Sequence, residues 1–103
     1  MLLPGNKIQS PGARYLLTYQ TDGNLVLYDA WMTALWASNT FGKPAGRVIM
    51  QSDGNFVVYG PSDDVQWSSG TNSVGSKLVL QNDGNLVIYD AAGGAVWATN
   101  TQR

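Results

Sequence analysis

The sequence predicts an all-β domain built from three copies of one unit, and three observations predict it. The nonapeptides QTDGNLVLY, QSDGNFVVY and QNDGNLVIY begin at Gln20, Gln51 and Gln81. A tryptophan follows each glutamine at one fixed distance, as Trp36, Trp67 and Trp97, with a threonine four positions beyond each, as Thr40, Thr71 and Thr101. No segment has helical periodicity. A repeat of about thirty residues cannot bury its own apolar face, so the three units, with motifs at 20–28, 51–59 and 81–89, are expected to close on one another as a single domain spanning 1–103.

Within a unit the elements follow in order. The runs RYLLTYQ, RVIMQ and KLVLQ give a first strand. Asp22-Gly23, Asp53-Gly54 and Asp83-Gly84 mark tight turns in which the glycine supplies the positive φ. NLVLYD, NFVVYG and NLVIYD give the returning strand, and the spacers DAWMTAL, GPSDDVQ and DAAGGAV lead to a third strand around the tryptophan.

Composition bounds the chemistry. The 103 residues are 44% hydrophobic and 13% charged, with 12 glycines, the profile of a turn-rich β protein that folds. A formal net charge of -1 leaves no electrostatic footprint for a phosphate backbone, so nucleic acid is not an expected partner. Without cysteine or histidine the chain lacks a thiolate, a zinc-finger spacing and the commonest general base and metal ligand; no cofactor and no metal are expected. No signal peptide or apolar run of membrane-spanning length is visible, so no membrane insertion is expected and the localisation stays open.

Sorting the motif by parity separates two faces, because strand side chains alternate. One face keeps only apolarity, as Leu25/Leu27, Phe56/Val58 and Leu86/Ile88, which is what a core requires. The other keeps identity: Asn24, Val26 and Tyr28 recur as Asn55, Val57 and Tyr59 and as Asn85, Val87 and Tyr89. The spacers have diverged freely, so recent duplication does not account for this, and turn propensity accounts for Asp and Asn but not for Tyr. Gln, Asp, Asn and Tyr around a valine offer donors, acceptors and a small apolar patch. That mixture suits a pyranose.

At every defined position the three nonapeptides resemble the Gln-x-Asp-x-Asn-x-Val-x-Tyr signature of the monocot mannose-binding, or bulb-type, lectins. The resemblance covers essentially the whole chain. It implies a β-prism II fold of three antiparallel four-stranded sheets about a pseudo-threefold axis, with Trp36, Trp67 and Trp97 packed in the middle. It also implies mannose-binding roles: Asp22 and Asn24 on the axial O2, Gln20 on O3, Tyr28 on O4 and Val26 against the ring carbons. Gln51, Asp53, Asn55, Val57 and Tyr59 take these roles in the second site, and Gln81, Asp83, Asn85, Val87 and Tyr89 in the third.

The chain departs from the family at a disulfide common in plant members, having Gly23 and Gly46 at the positions concerned. The domain is therefore expected not to need an oxidising compartment, and a bacterial or other non-plant origin gains weight. Trp31 has no counterpart in the other units and reads as an aromatic extending the first site or as a packing residue on its own sheet or a partner. Asp63-Asp64 reads as a solvated acidic turn rather than a calcium loop, and Arg47 and Lys77 as solvated strand-edge residues. The resemblance also implies homodimerisation by exchange of the C-terminal strand.

The expected function is a non-enzymatic lectin recognising terminal mannose at up to three sites through multivalency. No catalytic residue is assigned, because each site brings one carboxylate where glycoside hydrolysis ordinarily needs a flanking pair. The alternative is a bacteriocin-like or structural member of the fold that binds a rhamnose-containing polysaccharide or a protein.

Overall fold

Alternating side chains and repeated glycine turns give ten short strands and no helix in the computed structural model, which describes residues 1–103. They are β1 (Lys7–Gln9), β2 (Leu16–Tyr19), β3 (Leu25–Tyr28), β4 (Ala34–Ala37), β5 (Arg47–Met50), β6 (Phe56–Tyr59), β7 (Val65–Ser68), β8 (Lys77–Leu80), β9 (Leu86–Tyr89) and β10 (Ala95–Ala98). Three antiparallel sheets result, in the orders β1-β2-β3-β4, β5-β6-β7 and β10-β9-β8. Each motif supplies a middle strand.

Only the first sheet has the four strands that the resemblance implies. The second receives a single bridge, in which Leu2 and Val48 exchange backbone hydrogen bonds of 2.8 and 2.9 Å. The outer edge of β5 is thus taken by the N-terminal segment, which the turn at Pro4-Gly5, with Gly5 at a φ of 91°, ends after that one bridge.

The motif turns are one residue longer than a two-residue hairpin. Gln20 N donates to Asn24 O and Gly23 N to Gln20 O, and Gly23, but not Asp22, has positive φ, the pattern of a three-residue loop ending in a left-handed glycine. Gln51 with Asn55 and Gln81 with Asn85 repeat it. Close approach imposes glycine as well: a Cβ on Gly23 would collide with the carbonyl of Lys43, one on Gly54 with the backbone of Ser73, and one on Gly84 with the ring of Tyr15. Each unit's turn thus lies under the next unit's leading segment, and the third is covered by the first. The ring of units closes.

Parity sorts the faces as expected. Leu25, Leu27, Phe56, Val58, Leu86 and Ile88 are buried in one core cluster that all three sheets share. Trp36, Trp67 and Trp97 stand opposite Leu27, Val58 and Ile88 in the ladders, and directly opposed residues share a face, so all three indoles point inward. They meet edge to face with centroids 5.2, 5.6 and 5.7 Å apart. Both chain ends pair with their own chain, Leu2 on β5 and β10 on β9.

Candidate functional site

The fifteen motif side chains gather as three separate groups, one on the outer surface of each sheet. In the first, Asp22 Oδ1 accepts the backbone N–H of Asn24 at 2.9 Å, which fixes the carboxylate at the turn. The Gln20 amide lies between Asp22 and Tyr28. Its polar atoms are all satisfied when Nε2 donates to the Asp22 carboxylate at 3.1 Å and Oε1 accepts the Tyr28 hydroxyl proton. Gln51 joins Asp53 to Tyr59 in the same way, and Gln81 is hydrogen-bonded to Tyr89. Asp53 and Asp83 accept the N–H groups of Asn55 and Asn85, each at 2.9 Å.

The asparagine is held from the other side. Asn24 Oδ1 accepts from Ser38 Oγ at 3.3 Å and from Thr40 N at 3.2 Å, while Thr40 Oγ1 donates to Gly23 O at 2.5 Å. Ser69 and Thr71 repeat the clamp around Asn55 and Gly54, and Thr99 and Thr101 around Asn85 and Gly84. With Oδ1 engaged, each Nδ2 makes no hydrogen bond within the chain and remains a free donor, and the aspartate two residues back supplies an acceptor held at the turn. Every copy therefore offers both a donor and an acceptor.

Sequence reasoning missed Ser38, Ser69 and Thr99. The signal was present, since a hydroxyl residue stands two positions after every motif tryptophan. Thr40, Thr71 and Thr101, marked in the sequence only by their fixed spacing, tie the third strand to the turn. Val26, Val57 and Val87 are 4%, 1% and 3% exposed and outside the core cluster, so they form an apolar floor of which little is open to solvent.

Trp31 is 83% exposed and does not pack on its own sheet. No group of three acidic side chains able to hold a metal forms at Asp63-Asp64. Arg47 is not simply solvated, because its guanidinium pairs with Asp63 at 2.5 Å and lies 4.5 Å from the centroid of the Tyr59 ring. Lys77 is exposed at the edge of its sheet, as expected.

No family model matches the chain. Over 71 residues, 69% of the chain, it is 36% identical to the B-type lectin plumieribetin of Scorpaena plumieri, of which that stretch is 61%. Over 64 residues it is 44% identical to a mannose-specific lectin of Narcissus pseudonarcissus, covering 61% of the chain and 56% of the relative. The alignments thus span little more than half the length of these curated relatives. Among solved structures, a Marasmius oreades lectin superposes with a TM-score of 0.89 at 39% identity, over 97% of this chain and 84% of that one. Monomeric monocot mannose-binding lectins from Gastrodia elata give 0.88 at 42% identity, over 99% and 92%. The Polygonatum cyrtonema lectin complexed with a monomannoside gives 0.78 at 42% identity, over 97% and 89%. With this identity sustained over nearly the full length of both partners, on a shared three-sheet fold, the chain belongs to the bulb-type family of mannose-binding lectins.

Proposed function

We propose that the chain is a non-enzymatic lectin that binds terminal mannose at three sites, each formed by the Gln, Asp, Asn, Val and Tyr of one motif. The observation that carries this reading is the free Nδ2 donor of each asparagine together with an aspartate acceptor fixed on that asparagine's backbone N–H. A hydroxyl both gives and takes a hydrogen bond, so the pair matches one sugar hydroxyl. An axial O2 reaching both groups distinguishes mannose from glucose, whose equatorial O2 would leave them unpaired. The Polygonatum lectin complexed with a monomannoside supports the choice of sugar.

Four or five hydrogen bonds at about 1 kcal/mol each give roughly millimolar affinity per site. Three sites on one rigid body raise avidity for a dense glycan by about 10² to 10⁴. The repeat therefore serves binding as well as folding. Calorimetric titration with methyl α-mannoside tests this: millimolar binding with three sites per chain is expected, and no heat at about ten times that concentration overturns it.

For assembly, we propose that exchange of β10 is the route to a homodimer. The strand carries Trp97, so an exchanged copy would complete the partner's aromatic triad with the same contacts. Native mass measurement showing only the 11.1 kDa species would overturn this part.

A further inference from the structure

The three sites share a motif but not the residue that faces its tyrosine. In the ladders Tyr28, Tyr59 and Tyr89 stand opposite Leu16, Arg47 and Lys77, and directly opposed residues share a face, so each of these side chains lies on the same face as its motif tyrosine. The turn after each tyrosine differs in step: its left-handed residue is Met32 in the first unit, Asp63 in the second and Gly93 in the third. Only the second unit has a cation on the strand and a carboxylate at that place in the turn. The two meet. The Arg47 guanidinium pairs with Asp63 at 2.5 Å, and its Cζ stands over the Tyr59 ring, 4.5 Å from the centroid. No other ion pair forms in the chain, and no other cation lies over an aromatic ring.

We infer that Arg47 is a positioning residue of the second site: held by Asp63, it braces the Tyr59 ring before sugar arrives and makes this the tightest of the three mannose sites. The inference rests on the reading of the motifs as mannose sites. A guanidinium is attracted to the face of an aromatic ring by the ring's quadrupole, which at a partly exposed position corresponds to about two- to fivefold in an equilibrium constant. Arg47 covers a face of the ring and leaves the hydroxyl edge, where Gln51 is hydrogen-bonded and links Tyr59 to Asp53. A ring already ordered has less freedom to lose on binding, so the gain appears as affinity. Asp63 keeps the guanidinium in place, because an unpaired arginine spreads over many rotamers, and the left-handed turn position, which an aspartate tolerates, sets the carboxylate within reach. Leu16 offers Tyr28 no charge, and Lys77 has Gly93 where a carboxylate would hold it. An exposed ion pair contributes little to folding, so the brace is expected to act on binding and not on the melting temperature.

The test follows the side-chain amides of Asn24, Asn55 and Asn85 by NMR while the whole chain is titrated with methyl α-mannoside, which gives a dissociation constant for each site. The Asn55 site is expected to bind about two- to fivefold more tightly than the other two. Arg47→Met keeps an aliphatic stem without the charge and should bring the second site down to the level of the others, whose affinities stay as they were. Asp63→Asn, which the left-handed turn accepts, should weaken the same site in the same direction. The converse variant, Leu16→Arg with Met32→Asp, should tighten the first site by a similar factor, and it decides the matter if Arg47→Met fails to fold. Affinities that are equal in the unaltered chain, or that fall at all three sites together in Arg47→Met, refute the brace and leave the mannose reading standing. If none of the three amides moves, the mannose reading fails and the brace with it.

Discussion

The side-chain oxygen of Asn24 accepts the backbone N–H of Thr40 at 3.2 Å, joining the motif strand to the end of the third strand of its unit. The nitrogen of the same amide makes no hydrogen bond within the chain and is a donor of the proposed mannose site. One side chain therefore performs two tasks, and two substitutions separate them. Asn24→Asp keeps the acceptor and deletes the donor, so it should abolish mannose binding at the first site while costing about 1 kcal/mol or less of stability. Asn24→Ala deletes both, leaving Ser38 Oγ and Thr40 N without that acceptor, and should cost about 1 to 3 kcal/mol as well as the site. Calorimetric stoichiometry should fall from three to two in both, and an Asn24→Asp chain that still fills three sites would remove Asn24 from the binding machinery.

Thr40 offers a cleaner probe of the clamp because it touches no proposed ligand position. It is 1% exposed, and its hydroxyl donates to Gly23 O and lies 2.7 Å from Ser38 Oγ. Thr40→Val keeps the shape and leaves a buried carbonyl unpaired, for an expected loss of about 1 to 3 kcal/mol. For a domain of this size each kcal/mol lowers the thermal midpoint by roughly 4 to 8 °C. Thr101→Val, at the half-buried counterpart, should lower it less, because water can replace the lost bond. Equal shifts in a melting experiment would contradict the burial argument.

How much of this was legible in the sequence depends on whether a feature is local. The strand runs, the glycine φ values and the inward set of Leu25 and Leu27 follow from period-two alternation and turn chemistry, which nine residues suffice to display. Trp36, Trp67 and Trp97 came with the repeat and the resemblance, and their ladder partners confirm where they point. The Ser38, Ser69 and Thr99 clamps were not read, because their partners lie fourteen residues back and nothing local distinguishes a clamping hydroxyl from a surface one. Arg47 was misread for the same reason: its partner Asp63 is brought near only by the β5–β6 hairpin and the turn beyond it. The three-sheet architecture follows the resemblance, while the strand number departs from it in two sheets, because only the N-terminal Leu2 meets the outer edge of β5 and no strand pairs with the outer edge of β8.

Two glycines with left-handed backbone separate conformational strain from collision. Gly42 has φ 85° and open space where a Cβ would stand, while Gly54 has φ 94° with the backbone of Ser73 in that place. Gly42→Ala should cost about 1 to 2 kcal/mol, the left-handed penalty alone. Gly54→Ala adds displacement of the third unit's leading segment and should cost at least twice as much. Urea denaturation of the two variants decides it, and comparable midpoints would show that the units do not press on one another through these turns.

The tryptophan triad is where three separate sheets become one body, and its asymmetry can be measured. Trp67 and Trp97 each also meet Phe56, at 5.8 and 6.4 Å, whereas no contact of this kind joins Phe56 to Trp36. Phe56 has Leu25 and Leu86 at the corresponding positions of the other units, so the third aromatic contact exists on one side only. The three indoles are half-buried and packed against the core, so truncation to alanine approaches the cost of a buried aromatic, about 3 to 5 kcal/mol, a large part of the roughly 5 to 15 kcal/mol that holds a typical domain. Trp67→Ala and Trp97→Ala should therefore leave the chain near its unfolding threshold. Trp36→Ala should be milder by about 0.5 to 1.5 kcal/mol, the worth of the missing aromatic pair. Trp31→Ala, on the exposed turn, should change stability by less than about 0.5 kcal/mol. Denaturant midpoints of the four variants should rank in that order, and a Trp36 variant as unstable as the Trp67 variant would show that the indoles alone, without Phe56, set the cohesion of the prism.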